Sequence, residues 1–245
     1  MMRLEQRYTL RCSDFDCHDR LRPSAVLDLF QDIAGLHAQE LQVDYLRLLE
    51  KQELWVLTKV RYRLLRQPHR YETVVGRTWP LEPGRVNFRR EYALDTPDGT
   101  PLIRGSSEWV IVHSEKRRVL PVKDLYPSND YCTETDYPGR LAKIPLWKPE
   151  DAGHTIYPGF SQLDVNGHVN NIHYADYVMD ALSPTEDCVV TELGIDYHRE
   201  VLRDMPLTVH CRREEEGQVL SCGLDQEGQC MFSCQLKLKT PEDVT

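Results

Sequence analysis

Between Asp164 and Asn171 the chain places a carboxylate (Asp164), an imidazole (His168) and three amides (Asn166, Asn170, Asn171) within eight residues. Cleavage of an acyl bond by water needs an activated water or nucleophile, a group that manages its proton, and donors for the oxygen that becomes negative in the tetrahedral intermediate. His168 can relay a proton near neutral pH. Asp164 can hold the imidazole in one tautomer or act on the carbonyl itself, and Asn166 supplies an amide donor. A helix is expected directly after this run, and N–H groups at a helix start suit an oxyanion. The plain alternative is capping, in which Asp and Asn satisfy free N–H groups and Gly167 lets the chain turn. Capping accounts for Asn170 or Asn171 and leaves Asp164, Asn166 and His168 in want of a reason.

The elements that must hold these residues come in a repeated order. PSAVLDLFQDIAGLHAQE (Pro23 to Glu40) carries apolar residues at Val26, Leu29, Phe30, Ile33, Ala34 and Leu36, the period of an amphipathic helix. A short helical stretch follows near Asp44 to Lys51. Then ELWVLTKVRYRLL, YETVVGRTW, RVNFRREYALD and LIRGSSEWVIVH alternate and are separated by Gln-Pro, Glu-Pro-Gly and Pro-Asp-Gly, which reads as an antiparallel meander. A second helix, from about Asn170 to Leu182, precedes CVVTELGIDYHREV, MPLTVHCRREE, QVLSCGLDQ and QCMFSCQLKLK. SDFDCHDRL at Ser13 lies over SQLDVNGHV at Ser161, Val60 and Tyr62 over Ile195 and Tyr197, and Leu94-Asp95 over Leu224-Asp225, in one order. The second half therefore reads as a shorter copy of the first. The expected fold class is α+β: two tandem hot-dog units, each a long helix wrapped by an antiparallel β-sheet. The expected domains are 1–120 and 156–245, with a Pro-rich linker over 121–155.

Composition narrows the functional classes. At 245 residues and 40% hydrophobic content the chain can bury one large core or two smaller ones. No run approaches the roughly 18 apolar residues that cross a bilayer, and MMRLEQRYTL lacks a signal peptide's apolar stretch, so a cytoplasmic protein without a membrane span is expected. The eight cysteines show no paired CxxC spacing and are expected to be reduced and mostly buried. A net charge of -9 argues against nucleic acid as a partner. Arginines concentrate at Arg61, Arg63, Arg66, Arg70, Arg77, Arg85, Arg89 and Arg90, either as a docking face for an acidic partner or as a solvated strand face.

The run DVNGHVNNIHY resembles the D-x-N-x-H-V-N-N-x-x-Y signature of the acyl-carrier-protein thioesterases of plastids and bacteria. ELWVLTKVRYRL, RTWP, REYALDTPDGTPLIRGSSEWVIV and IDYHREVLRD are similar to that family's successive strands. The resemblance implies a double hot-dog, release of free fatty acid from an acyl carrier protein bearing a fatty acyl chain, and no metal or organic cofactor. It also implies an acyl chain held in the N-terminal half and catalytic residues from the C-terminal half. Within it, Tyr197-His198-Arg199-Glu200-Val201 stands where the family has Y-R-R-E-C, so Glu200 is kept and the thiol is replaced by Val201. The implied site is Asp164, Asn166, His168 and Glu200. Glu200 and His168 activate water or shuttle its proton, Asp164 positions them or forms a transient anhydride, and Asn166 orients Asp164 or the carbonyl. The bland reading of Glu200 is a strand carboxylate paired with Arg199 or Arg203.

Two other readings use the same fold. A hot-dog acyl-thioester hydratase or dehydratase would show an Asn-Pro-x-His run, against which Gly167 and the doubled Asn170-Asn171 speak. A non-catalytic acyl-thioester-binding module would have lost the polar set. Phe30, Leu36, Trp55 and Trp79 are candidates for an acyl tunnel, with core packing as the plainer role. A double hot-dog is internally equivalent to a dimer, so a monomer or a homodimer is expected.

Overall fold

The computed structural model describes residues 2–121, 125–135, 137 and 140–244. Two compact units are formed, one from residues 1–12 and 28–141 and the other from 13–27 and 142–245.

In the first unit β1 (Leu4–Thr9), β2 (Glu53–Leu64), β3 (Thr73–Pro80), β4 (Phe88–Asp95) and β5 (Pro101–His113) pair antiparallel in the order β1-β3-β4-β5-β2. The meander arises where Pro-Asp-Gly ends β4, with Gly99 at φ +91, a conformation that favours glycine. Helix α1 (Pro23–Glu40) buries Val26, Phe30, Ile33, Ala34 and His37. Each large apolar side chain in that stripe contributes about 1.5–3 kcal/mol. Phe30 stacks on Tyr92 with ring centroids 4.2 Å apart. That approach requires Gly105 on β5, since a Cβ there would lie 2.2 Å from the Phe30 ring. Helix α2 (Tyr45–Leu49) begins one residue after the expected start because Asp44 caps it, accepting the N–H groups of Leu46 and Arg47, and it ends at the C-cap Glu50.

His37 takes the stripe position that simple hydrophobicity gives to Leu36, which is exposed. An Arg90 N–H donates to His37 Nδ1 at 2.9 Å, so that nitrogen carries the lone pair and the ring is neutral. Burial, then the adjacent Arg90 guanidinium, lower its pKa from 6.5 to about 4. An unfolded histidine takes up its proton near 6.5, so stability is fully present above that pH and is lost as pH falls toward 4. Acidification across this window is expected to remove on the order of 2 kcal/mol. Thermal unfolding of His37→Asn should show a flatter slope between pH 7 and 4.5; an unchanged slope would assign the pH dependence elsewhere.

In the second unit β6 (His154–Ile156), β7 (Val189–Tyr197), β8 (Leu207–Arg213), β9 (Gln218–Leu224) and β10 (Cys230–Lys239) pair antiparallel in the order β6-β8-β9-β10-β7. This is the first unit's order strand for strand, so the repeat read from scattered residue matches is a repeat of topology. Helix α3 (His173–Leu182) buries Tyr174, Ala175, Tyr177 and Val178. The Tyr174 ring meets Phe232 of β10 and Tyr197 of β7 edge-on, each at 5.2 Å. The chain is thus α+β, with two tandem hot-dog units. Among the described residues from 120 to 153 there is no helix or strand. The segment is anchored piecewise, with Lys59 Nζ donating to Leu141 O and Ile144 N to Asp196 Oδ2, each at 2.9 Å.

Candidate active site

Asp164 builds a five-residue turn. Its N–H donates to His168 O at 2.7 Å, and its carbonyl accepts Gly167 N–H at 3.0 Å. Gly167 sits at φ +77, where a side chain would be strained. Asp164 Oδ1 accepts the N–H groups of Asn166 (2.8 Å) and His168 (3.2 Å), while Asn166 Nδ2 lies 3.5 Å from Oδ2. Beyond the turn, Val169 N donates to Val201 O at 2.8 Å, and His168 forms a bridge with Leu202. This stitching draws the segment after β7 against the turn. His168 Nε2 comes to lie 3.3 Å from Glu200 Oε2, with side chains 24% and 39% exposed.

A pair so open to solvent contributes under about 1 kcal/mol to the fold, so stability gives no reason for it. The separation is just beyond the reach of about 2.6–3.2 Å for a working acid–base pair, as is common before substrate tightens a site. Glu200 lies outside β7, and Arg203 pairs with Asp204 at 3.1 Å. The expected residues Asp164, Asn166, His168 and Glu200 are therefore gathered in one place within the second unit.

Other features come from the fold. Tyr174, the last residue of the DVNGHVNNIHY run, is buried; burial above all, with smaller contributions from the Glu200 and Asp164 carboxylates, holds its hydroxyl well above the usual phenol range and therefore neutral. Tyr197 Oη donates to Asn171 O at 3.0 Å, tying the approach to α3 onto β7. Helix α3 starts at His173, three residues later than expected, because 170–172 form a turn. Asn170 Oδ1 accepts Ile172 N–H (3.2 Å), and Asn170 O accepts His173 N–H (3.0 Å). Ala175 N–H is bonded to Ile172 O. With three N–H groups at the helix entry already engaged, the exposed Asn166 amide is the better-placed donor for an oxyanion.

Val201 is fully buried, and its position offers packing and a backbone carbonyl. Of the eight cysteines only Cys132, Cys222 and Cys234 are buried, fewer than expected, while Cys12 and Cys17 are exposed. Burial pushes the thiols of Cys211, Cys222 and Cys230 up, Cys222 to about 12, which leaves them protonated and poor nucleophiles. Among the described residues no group of three or more His, Cys, Asp or Glu could hold a metal ion.

The turn at Asp164 has three counterparts. Asp16 Oδ1 accepts the N–H groups of His18 and Arg20, both at 2.9 Å, with Asp19 at φ +60 in the place of Gly167. Asp225 Oδ1 accepts those of Glu227 (3.0 Å) and Gln229 (2.7 Å), and Thr96 Oγ1 accepts that of Thr100 (2.9 Å). In each the first residue's N–H bonds to the carbonyl four residues on. The carboxylate of Asp164 thus does at least the work of shaping a turn. In the Asp16 copy, His18 occupies the place of Asn166 and Arg20 that of His168.

The first unit contains a cavity of about 380 Å³. Trp55, Phe88, Trp109 and Tyr126 line it opposite Ala34 and Ala38 of α1. Of the four tunnel candidates only Trp55 reaches it. Leu36 is exposed, Phe30 stacks in the core, and Trp79 is buried beneath Arg3, whose guanidinium carbon lies 4.1 Å from the ring centroid.

Residues 2–128 match the model of the acyl-ACP thioesterase N-terminal domain, and residues 148–239 match that of the C-terminal domain. The chain belongs to the acyl-ACP thioesterase family. Among acyl-ACP thioesterases of known structure, the chain superposes on one from Bacteroides thetaiotaomicron with a TM-score of 0.89 at 20% identity, covering 97% of this chain and 98% of that one. A 12:0-ACP thioesterase from Umbellularia californica gives 0.85 at 19% identity, covering 98% of each. An oleoyl-acyl carrier protein thioesterase from Coriandrum sativum is 27% identical over 223 residues, 82% of this chain and 60% of its own. The chain spans about half the length of the curated relatives it matches.

Proposed function

We propose that the chain hydrolyses fatty acyl-carrier-protein thioesters to free fatty acid and carrier protein, with His168 and Glu200 activating the water. The observation that carries this reading is the approach of His168 Nε2 to Glu200 Oε2 at 3.3 Å, on a pair that stability does not explain.

The chemistry follows from the groups present. Water held by the pair loses a proton to it as its oxygen bonds to the thioester carbon. Asn166 Nδ2 donates to the carbonyl oxygen as that oxygen takes up negative charge. When the tetrahedral intermediate collapses, the C–S bond breaks and the pair returns the proton to the departing thiolate of the carrier protein. Asp164 acts as a positioning residue, its two backbone acceptor bonds fixing where Asn166 and His168 project. The apolar cavity of the first unit is the compartment this reading gives to the acyl chain.

The test is release of free thiol from carrier proteins bearing acyl chains of graded length, alongside the same acyl groups on coenzyme A. Hydrolysis of the carrier-bound series is expected. If no acyl-carrier protein is cleaved, the reading fails.

A further inference from the structure

The cavity of the first unit has a mainly apolar lining, and its polar members are Gln31, Gln39, Asp44, Arg89 and Arg90. Arg90 is 7% exposed and, as a guanidinium, stays charged. Its Nη1 donates to His37 Nδ1 at 2.9 Å and to Thr78 Oγ1 at 3.2 Å, with the Tyr126 hydroxyl close enough to feel its charge. His37, Thr78 and Tyr126 are all neutral. Among the described residues no carboxylate forms an ion pair with Arg90. Its neighbour Arg89 is different, lying 3.0 Å from the fully buried Glu91 carboxylate and 2.9 Å from Ser106 Oγ. Asp44, the one carboxylate among the described lining residues, caps α2 with Oδ1 and meets Arg47 with Oδ2 at 3.2 Å.

A buried cation without a counter-charge is costly in a dry site. Solvent entering the cavity would relieve that cost. A wholly hydrocarbon chain filling the cavity would displace that solvent and leave the guanidinium facing methylene groups, which is the unfavourable arrangement. A chain that brings an oxygen acceptor to Arg90 would replace the solvent's hydrogen bonds as it fills the space. Arg90 is thus withdrawn from the arginines that a docking face could use, and it becomes a reader of the cavity's contents.

We propose that the cavity selects acyl chains carrying an oxygen acceptor, a hydroxyl, oxo or carboxylate group on the hydrocarbon, and that Arg90 is the specificity-determining residue. This rests on the thioesterase reading for its kinetics but not for its binding. A site built to hydrogen-bond a ligand oxygen discriminates strongly against the analogue lacking it, because the buried donor is left unpaired.

The experiment compares carrier proteins bearing decanoyl, 3-hydroxydecanoyl, 10-hydroxydecanoyl and 9-carboxynonanoyl groups, and in parallel measures binding of their non-hydrolysable amide analogues by calorimetry. At least one oxygenated chain is expected to show a KM about tenfold or more below decanoyl at similar kcat, with the same ranking in binding. Arg90→Met should abolish that preference, bringing the oxygenated chains to the KM and binding of decanoyl. Thr78→Val, which keeps the guanidinium but frees one of its donors, should retain it. Decanoyl bound as well as every oxygenated analogue by the wild-type chain would overturn the proposal, whether or not any thioester is cleaved and whether or not Arg90→Met folds. So would an unchanged preference in a folded Arg90→Met.

Discussion

In Glu200→Gln, turnover of an acyl-carrier protein is expected to fall about a hundredfold or more with KM little changed, because Gln keeps the shape of the side chain but cannot take a proton. His168→Gln should fall by a similar amount. The double variant should fall little further, since two groups that pass one proton between them act as a unit and their losses do not add. Unfolding midpoints should hardly move, because the pair is partly exposed and supports the fold only weakly. Steady-state kinetics beside thermal melts decide the matter. Turnover within threefold of wild type in Glu200→Gln would take Glu200 out of the chemistry.

Asp164 is expected to separate from Glu200 in a pair of substitutions. Asp164→Asn keeps an oxygen where Oδ1 now accepts the N–H groups of Asn166 and His168, so the turn persists and kcat should stay within about tenfold. Asp164→Ala removes both acceptor bonds, lets His168 and Asn166 drift, and should lower kcat by about a hundredfold, the penalty for misplacing a catalytic group by an ångström. Asp16→Ala removes the matching bonds from the other copy of the turn. It should reduce stability by about 1 kcal/mol and leave turnover intact. If Asp164→Asn instead collapses to the level of Glu200→Gln, the carboxylate itself reacts, and attack through an anhydride becomes the better mechanism.

Much of this could be read from the chain. Helix α1 was legible to the residue because Pro23 opens it and an apolar stripe follows with a period near 3.6. The repeat was legible because three residue matches kept their order, and strand pairing then gave both copies the same arrangement. The grouping of Asp164, Asn166 and His168 was legible because they are close in sequence, so one turn is enough to gather them. Glu200 was a different case: only a family resemblance pointed to it, since its place beside His168 depends on the Val169–Val201 bond and the His168–Leu202 bridge, which no local pattern encodes. The place of Arg90 at the cavity was hidden for the same reason. Arg90 lies in a run of strand arginines that reads as a wet face, and His37 on α1 is a polar residue at a buried position. Each makes sense only beside the other, more than fifty residues away. Leu36 was misplaced because its hydrophobicity says nothing about which side of the helix it occupies.

The turn that begins at Asp164 and is repeated at Asp16, Asp225 and Thr96 bears on how such a site is recognised and how it could be altered. Its first residue is a mould and its third and fifth are the cast: the same mould yields His and Arg at Asp16, Glu and Gln at Asp225, and Asn and His at Asp164. A search keyed on the aspartate would retrieve moulds, most of them blank. The informative letters are the ones the mould leaves free, which makes the blank copy at Asp16 a ready position for grafting new chemistry onto a backbone already shaped to receive it.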